Sequence, residues 1–277
     1  MAQLTQHYGD PGVPLVVEDD PRDAVTAWGT QRARLHEWLA ALPDDVWDGP
    51  TRCEGWDTTL LVRHLASATQ FLAYTLRWAA EGTATTLLEG MDTRTTVASA
   101  AELLGTLSPA EGRAMLAAQD RSVGEALGAL GDAGLLATAE APPGHMSAHL
   151  VVRHFLFDSW VHEYDLMVPR GERPPVDPLE VGVVVSYLVG LAEVVAADGG
   201  SATALDLRIS DPVARIGADA SGGIVVVTPG HGRDGGAVVE GRAIDIVDRM
   251  TGRPGGVVTG DSAALTVLDR FALVLST

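Results

Sequence analysis

The chain has 277 residues, enough for one large domain or two modest ones with a real core. Its 37 acidic residues against 19 basic ones, all of them Arg, give a formal net charge of −18. That excess repels phosphate backbones and anionic lipid, so neither nucleic acid nor a membrane surface is expected as a partner. A single cysteine, Cys53, excludes an intramolecular disulfide and suits a reducing cytosol.

Residues 1–20 are rich in Gly, Pro and Asp and read as an irregular arm. Met1 to Gly12 has neither a basic start nor an apolar run, so no signal peptide is expected and the location should be cytoplasmic. A first helix spans about Pro21 to Leu42, with Trp28, Leu35, Trp38, Leu39 and Leu42 at helical spacing; Pro43 closes it. A loop, Asp44 to Gly55, holds Trp47, Pro50 and Cys53. The second helix opens at Trp56-Asp57-Thr58 with Asp57 as cap, and Leu60, Leu61, His64, Leu65, Ala68, Phe71 and Leu72 form its apolar stripe. His64 therefore faces inward, as a core residue or as a ligand.

Residues 81–107 are punctuated by Thr and Gly and give no assignment. Ser108-Pro109-Ala110-Glu111 is a capping box that starts a third helix to about Leu130. Ala141-Pro142-Pro143-Gly144 reads as a loop, and a fourth helix follows from about His145 to Val168. On it His154, Asp158 and His162 fall four apart, with Asp165 three further on, so they share a stripe. Imidazoles and carboxylates on a buried stripe are costly unless paired. Either a divalent metal held by Asp158 and His162, or a set of core hydrogen bonds, would satisfy them. Four amphipathic helices, two of them pointing ligand types inward, read as a bundle with a site in its core.

Pro169 to Pro178 reads as a linker. Asp177-Pro178-Leu179-Glu180 caps a helix to about Ala197; its apolar part falls short of the ~20 residues a span requires and carries Glu193, so it reads as a buried helix. Beyond Gly199-Gly200 the period alternates: Leu205 to Ile209, Ile224 to Val227 and Ala237 to Glu240 are strands, with turns at Gly222-Gly223 and Asp234-Gly235-Gly236. A helix from about Arg242 to Met250, a strand near Val257 to Thr259 and a last helix, Ser262 to Leu275, complete an α+β module.

Three stretches together resemble the mycothiol-dependent maleylpyruvate isomerase family, whose bundle belongs to the DinB-like superfamily. They are Cys53-Glu54-Gly55-Trp56-Asp57 followed by Leu61-Val62-Arg63-His64-Leu65; Asp158-Ser159-Trp160-Val161-His162-Glu163-Tyr164-Asp165; and Glu240-Gly241-Arg242-Ala243 to Thr251-Gly252-Arg253 with Val258-Thr259-Gly260-Asp261. The resemblance implies an α+β chain: residues 1–168 form a DinB-like four-helix bundle with its N-terminal arm, and residues 178–277 a sterol-carrier-like α+β domain. It further implies a divalent metal, normally zinc, held by His64, Asp158 and His162, with mycothiol as the thiol cofactor. The family usually has Glu where this chain has Asp158, one methylene shorter.

Cys53 could be a nucleophile, but no His neighbours it in sequence, and the implied family draws its thiol from a cofactor. A small buried loop residue is the favoured reading. His145 and His149 sit at the start of the fourth helix, where solvated or capping roles are expected. His154 is a possible partner behind the ligands, or a substitute ligand. Arg253 is the candidate catalytic arginine, able to grip a substrate carboxylate bidentately, against the alternative of a surface arginine ending a helix.

The expected function is a metal- and mycothiol-dependent isomerase or S-transferase acting on a small electrophilic, carboxylate-bearing substrate. Three protein ligands would leave an open metal position for the thiol, whose pKa the metal lowers. The alternatives are a non-catalytic DinB-like binding or stress-response protein, and a metal-assisted hydrolase.

Overall fold

A computed structural model describes residues 4–10, 12–91 and 105–275; residues 92–104 of the unassigned 81–107 stretch lie outside them. The fold is mixed α+β, with seven α-helices and a six-stranded sheet among the described residues. Two compact units divide the chain: Ala24–Pro175, and Met1–Asp23 together with Val176–Thr277.

The first unit is built on α1 (Pro21–Ala41), α2 (Thr58–Ala80), α3 (Pro109–Gly134) and α4 (Ala148–Met167). Local chemistry sets their starts. Asp57 accepts the Leu60 N–H at 2.7 Å, and Ser108 and Glu111 form the reciprocal capping box ahead of Pro109. α3 runs beyond Leu130 and kinks at Gly131, whose φ of 62° a side chain would resist. α2 packs along α3 and against α4. Leu35, Leu39, Leu61, Val62, Leu65, Leu116 and Leu166 close a shared core around Trp47.

Between α3 and α4 the expected loop is instead a hairpin, β2 (Thr138–Ala141) and β3 (Gly144–Ser147), so α4 begins at Ala148 rather than His145. Glu140 explains its place. Its buried carboxylate accepts from Thr85 Oγ1 and from the Leu87 and Leu88 N–H groups at 2.7–2.9 Å, which satisfies backbone no helix serves. α4 is buried almost all round: every residue from Ala148 to Met167 is buried except Asp158 and His162.

In the second unit the sheet order is β1 (Leu15–Val17), β6 (Ile224–Pro229), β5 (Val213–Ser221), β4 (Leu205–Ser210), β7 (Ala237–Gly241) and β8 (Thr259–Gly260). α5 (Pro178–Asp198), α6 (Ala243–Met250) and α7 (Ser262–Leu275) pack against it. Two expectations are corrected here. The N-terminal arm does not go with the helical unit: β1 pairs in parallel with β6, placing Leu15 and Val17 in the core of the second unit. β5 is a strand where none was expected; its Gly, Ala and Asp are poor strand formers, and pairing on both sides overrides them. α5 is long and apolar enough to cross a membrane, yet most of it is buried within its unit. Gly190 lets this helix approach β1, since a Cβ there would stand 2.5 Å from Leu15 Cδ1.

Candidate functional site

The two residues of α4 that are not buried are one helical turn apart and face the same residue of α2. His64 Nε2 lies 3.2 and 3.4 Å from the two Asp158 oxygens, and His162 Nε2 lies 3.5 Å from Asp158 Oδ1. The imidazoles of His64 and His162 are edge to face with centroids 4.9 Å apart, and the three donor atoms all fall within 4.8 Å of one another. Trp56 meets the His64 ring edge-on at 5.5 Å and walls the cluster.

These spacings carry chemical information. A charge-assisted hydrogen bond between imidazole and carboxylate closes to about 2.7–2.9 Å. Donors bound at about 2.0–2.2 Å to one tetrahedral ion stand about 3.3–3.6 Å apart by geometry. The Asp158 contacts match the second spacing, and two imidazoles with one carboxylate are a donor set zinc accepts, so the residues present fit a divalent cation.

The charges of the three groups are coupled to one another. Burial pushes the Asp158 carboxyl up, but the charges of His64 and His162 and the hydrogen bonds with both hold it well below the usual carboxylate range. Burial pushes the His162 imidazole down, and Asp158's charge together with hydrogen bonds to Asp158, Asp165 and Cys53 carries it well above the ordinary histidine value.

Behind His162 the contacts are of a different kind. Its Nδ1 is 2.9 Å from Asp165 Oδ2. The other Asp165 oxygen takes Arg52 Nε–H at 2.9 Å, and the Arg52 backbone N–H donates to the Asp165 carbonyl at 3.1 Å. Cys53 donates its S–H to Asp165 Oδ2 at 3.2 Å, with the sulfur 3.7 Å from His162 Nδ1. The loop before α2 is thus fastened to the ligand helix through one fully buried carboxylate.

Sequence spacing found His64, Asp158, His162 and the position of Asp165. It missed Arg52, and it discounted Cys53 because no histidine is near in sequence, whereas His162 is near in space. No local pattern signals either contact. The other histidines stand apart from this cluster. His154 is buried edge-on to Phe155 and Phe157, and burial, against the opposing charge of Asp158, lowers its pKa to about 4. His145 Nε2 pairs with the Thr85 carbonyl at 2.9 Å. His149 is pushed down to about 4 by burial and by Arg153. Arg253 belongs to the second unit, where its guanidinium donates to the Thr251 carbonyl at 3.3 Å.

Fold and cluster together define an α+β protein whose helical unit presents a candidate three-donor metal centre on facing helices. The family model for the mycothiol maleylpyruvate isomerase N-terminal domain matches residues 28–167, just over half of the chain, and the chain belongs to that family. A crystal structure of the mycothiol-dependent maleylpyruvate isomerase matches with a TM-score of 0.61 at 17% identity, covering 88% of this chain and 93% of that one. A histidine-to-alanine mutant of the same isomerase matches equally. At that identity the likeness is one of fold. No curated protein matches the chain.

Proposed function

We propose that this chain is an enzyme, a metal- and thiol-dependent isomerase or S-transferase acting on a small electrophilic, carboxylate-bearing substrate. The observation that carries the reading is the opening of α4. A helix otherwise buried at every residue exposes only Asp158 and His162, and it does so opposite His64 at ligand spacing. A polar window in a buried helix costs burial energy that a purely structural helix would recover with apolar residues.

His64, Asp158 and His162 would hold the cation, with zinc expected from the donor set. Three protein donors leave a fourth position for a small ligand. A cation there lowers the pKa of a bound thiol, and family membership makes mycothiol that thiol. The chain's own residues do the rest. Trp56 and the buried α4 side chains limit water around the donors, and Asp165 holds the His162 ring in place. Arg253 is proposed to orient a substrate carboxylate, on the strength of its planar guanidinium fork. The four helices of the first unit are read as a DinB-type bundle and the second unit as sterol-carrier-like. A cytoplasmic location fits the lone cysteine.

The test is metal analysis of purified protein, with turnover of cis-configured unsaturated dicarboxylates assayed with and without mycothiol. Stoichiometric zinc, and activity that requires both zinc and thiol, is the expected result. Zinc-dependent, thiol-independent cleavage of a substrate bond by water would instead favour the hydrolase reading. Absence of metal under metal-replete conditions would make it a non-catalytic binding protein.

A further inference from the structure

We infer that Asp165 is the positioning residue of this site, and that Arg52 and Cys53 serve it as clamps rather than acting on substrate. The inference rests on the metal reading above and extends it to residues behind the ligands.

Asp165 is fully buried beside Arg52, and an ionised carboxylate is an acceptor only. At 2.9 Å from Oδ2, His162 Nδ1 must therefore carry the hydrogen. In the neutral ring that leaves Nε2 as the bare nitrogen, and Nε2 is the atom turned toward Asp158. Free imidazole has no such constraint; the carboxylate behind the ring selects the tautomer and the ring orientation that a cation requires.

The same geometry decides the role of Cys53. In a cysteine–histidine–carboxylate nucleophile system the thiol and the carboxylate engage opposite ring nitrogens, so that the ring can take the thiol proton. Here both engage the Nδ1 side: Sγ is 3.7 Å from Nδ1, and Asp165 Oδ2 is 2.9 Å from it. Nδ1 already donates and has no lone pair for the thiol proton. The thiol instead donates to Asp165 Oδ2 at 3.2 Å. Arg52 Nε–H holds the other carboxylate oxygen, so Asp165 cannot rotate without losing three donors.

The experiment uses the full-length chain with two readouts. Zinc affinity is measured by competition with a chromophoric chelator. The His162 side-chain nitrogens are read by 15N NMR in the metal-free protein at a pH where the ring is neutral, with the signal assigned by its loss in His162→Gln. The wild-type ring should be protonated at Nδ1. Asp165→Asn keeps the shape but can present its amide N–H to Nδ1, so the ring should move its proton to Nε2 and zinc affinity should fall roughly 10–100-fold. Cys53→Ser, whose hydroxyl can still donate to Oδ2, should stay within about three-fold of wild type, and Cys53→Ala should lie between the two.

A wild-type ring protonated at Nε2 would overturn the inference whatever the variants do. So would a folded Asp165→Asn variant with unchanged tautomer and affinity, or a Cys53→Ser variant as impaired as Asp165→Asn. A wild-type chain that binds no zinc would instead sink the metal reading, while the NMR readout still decides what Asp165 does to His162.

Discussion

α4 and α5 are helices of similar length, both buried nearly all round, and both carry ionisable residues. They solve the burial of charge in opposite ways. In α4 the fully buried Glu163 meets Arg34 at 2.8 Å and Gln31 at 3.0 Å, and Asp165 meets Arg52, His162 and Cys53. In α5 the fully buried Glu193 takes the Thr203 N–H, at 3.2 Å, on one oxygen. Among the described residues its other oxygen has no hydrogen-bond partner. Burial, partly offset by that N–H and reinforced by Asp219, pushes the Glu193 carboxyl up to about 7. α4 surrounds its Glu163 and Asp165 carboxylates with hydrogen-bond donors, Arg among them, whereas α5 leaves Glu193 to be neutralised by a proton.

The sharpest break of this comparison is at the donors themselves. His64→Ala and His162→Ala should each weaken zinc binding by more than about 100-fold, beyond what a supporting residue costs. Metal content after dialysis against a weak chelator reads it. Full retention in both folded variants would place any metal elsewhere and remove the reason for the opening in α4.

The same substitution should then have opposite signs in the two helices. Glu163→Gln leaves the Arg34 guanidinium without its counter-charge in a largely buried setting and should destabilise the fold by about 3 kcal/mol. Glu193→Gln removes a group that must bind a proton to be comfortable. A carboxyl whose folded pKa is raised contributes stability that is fully present below its unfolded pKa, about 4.5, and lost as pH rises to about 7. Glu193→Gln should thus be more stable than the parent at pH 8, by about 2 kcal/mol once the unpaired buried amide is allowed for, and no more stable at pH 4.5. Urea unfolding of both variants at the two pH values is the measurement. A destabilised Glu193→Gln at pH 8 would mean that Glu193 is held as a paired anion, as Glu163 is.

What could be read from the chain follows the range of the physics involved. Asp57, Ser108 and Asp177 announce helix starts because a cap acts within three residues, and each makes its bond. His64, Asp158 and His162 were legible because helical period puts them on inward stripes and the family resemblance grouped them as one set. The arm's Leu15-Val16-Val17 gave no sign of strand, because its partner, Val225 to Val227, lies some two hundred residues on. The hairpin over Pro142-Pro143 was hidden because its justification is Glu140 gathering Thr85, Leu87 and Leu88. Arg52 and Cys53 escaped for the same reason: their partner Asp165 is more than a hundred residues away, and only the packing of the loop on α4 brings them together.

The smallest effect is expected at Asp158, where the resemblance leads one to expect Glu. A carboxylate one methylene shorter should sit back from the ion, which predicts weaker binding than Glu would give. The structure narrows that expectation. Asp158 already reaches His64 Nε2 at 3.2 Å, as a hydrogen bond, and stands 3.5 Å from His162 Nε2, spacings that ligands of one small ion also adopt. α4 therefore stands near enough to α2 for the shorter side chain to serve. Asp158→Glu must fit an added methylene between two helices in a partly enclosed window, where extra volume costs about 1 kcal/mol or more. Gain from reach and loss from crowding should nearly cancel, leaving zinc affinity within about ten-fold of the parent. A rise well beyond ten-fold in the competition assay would show that Asp158 is too short, and that helix spacing does not compensate for it.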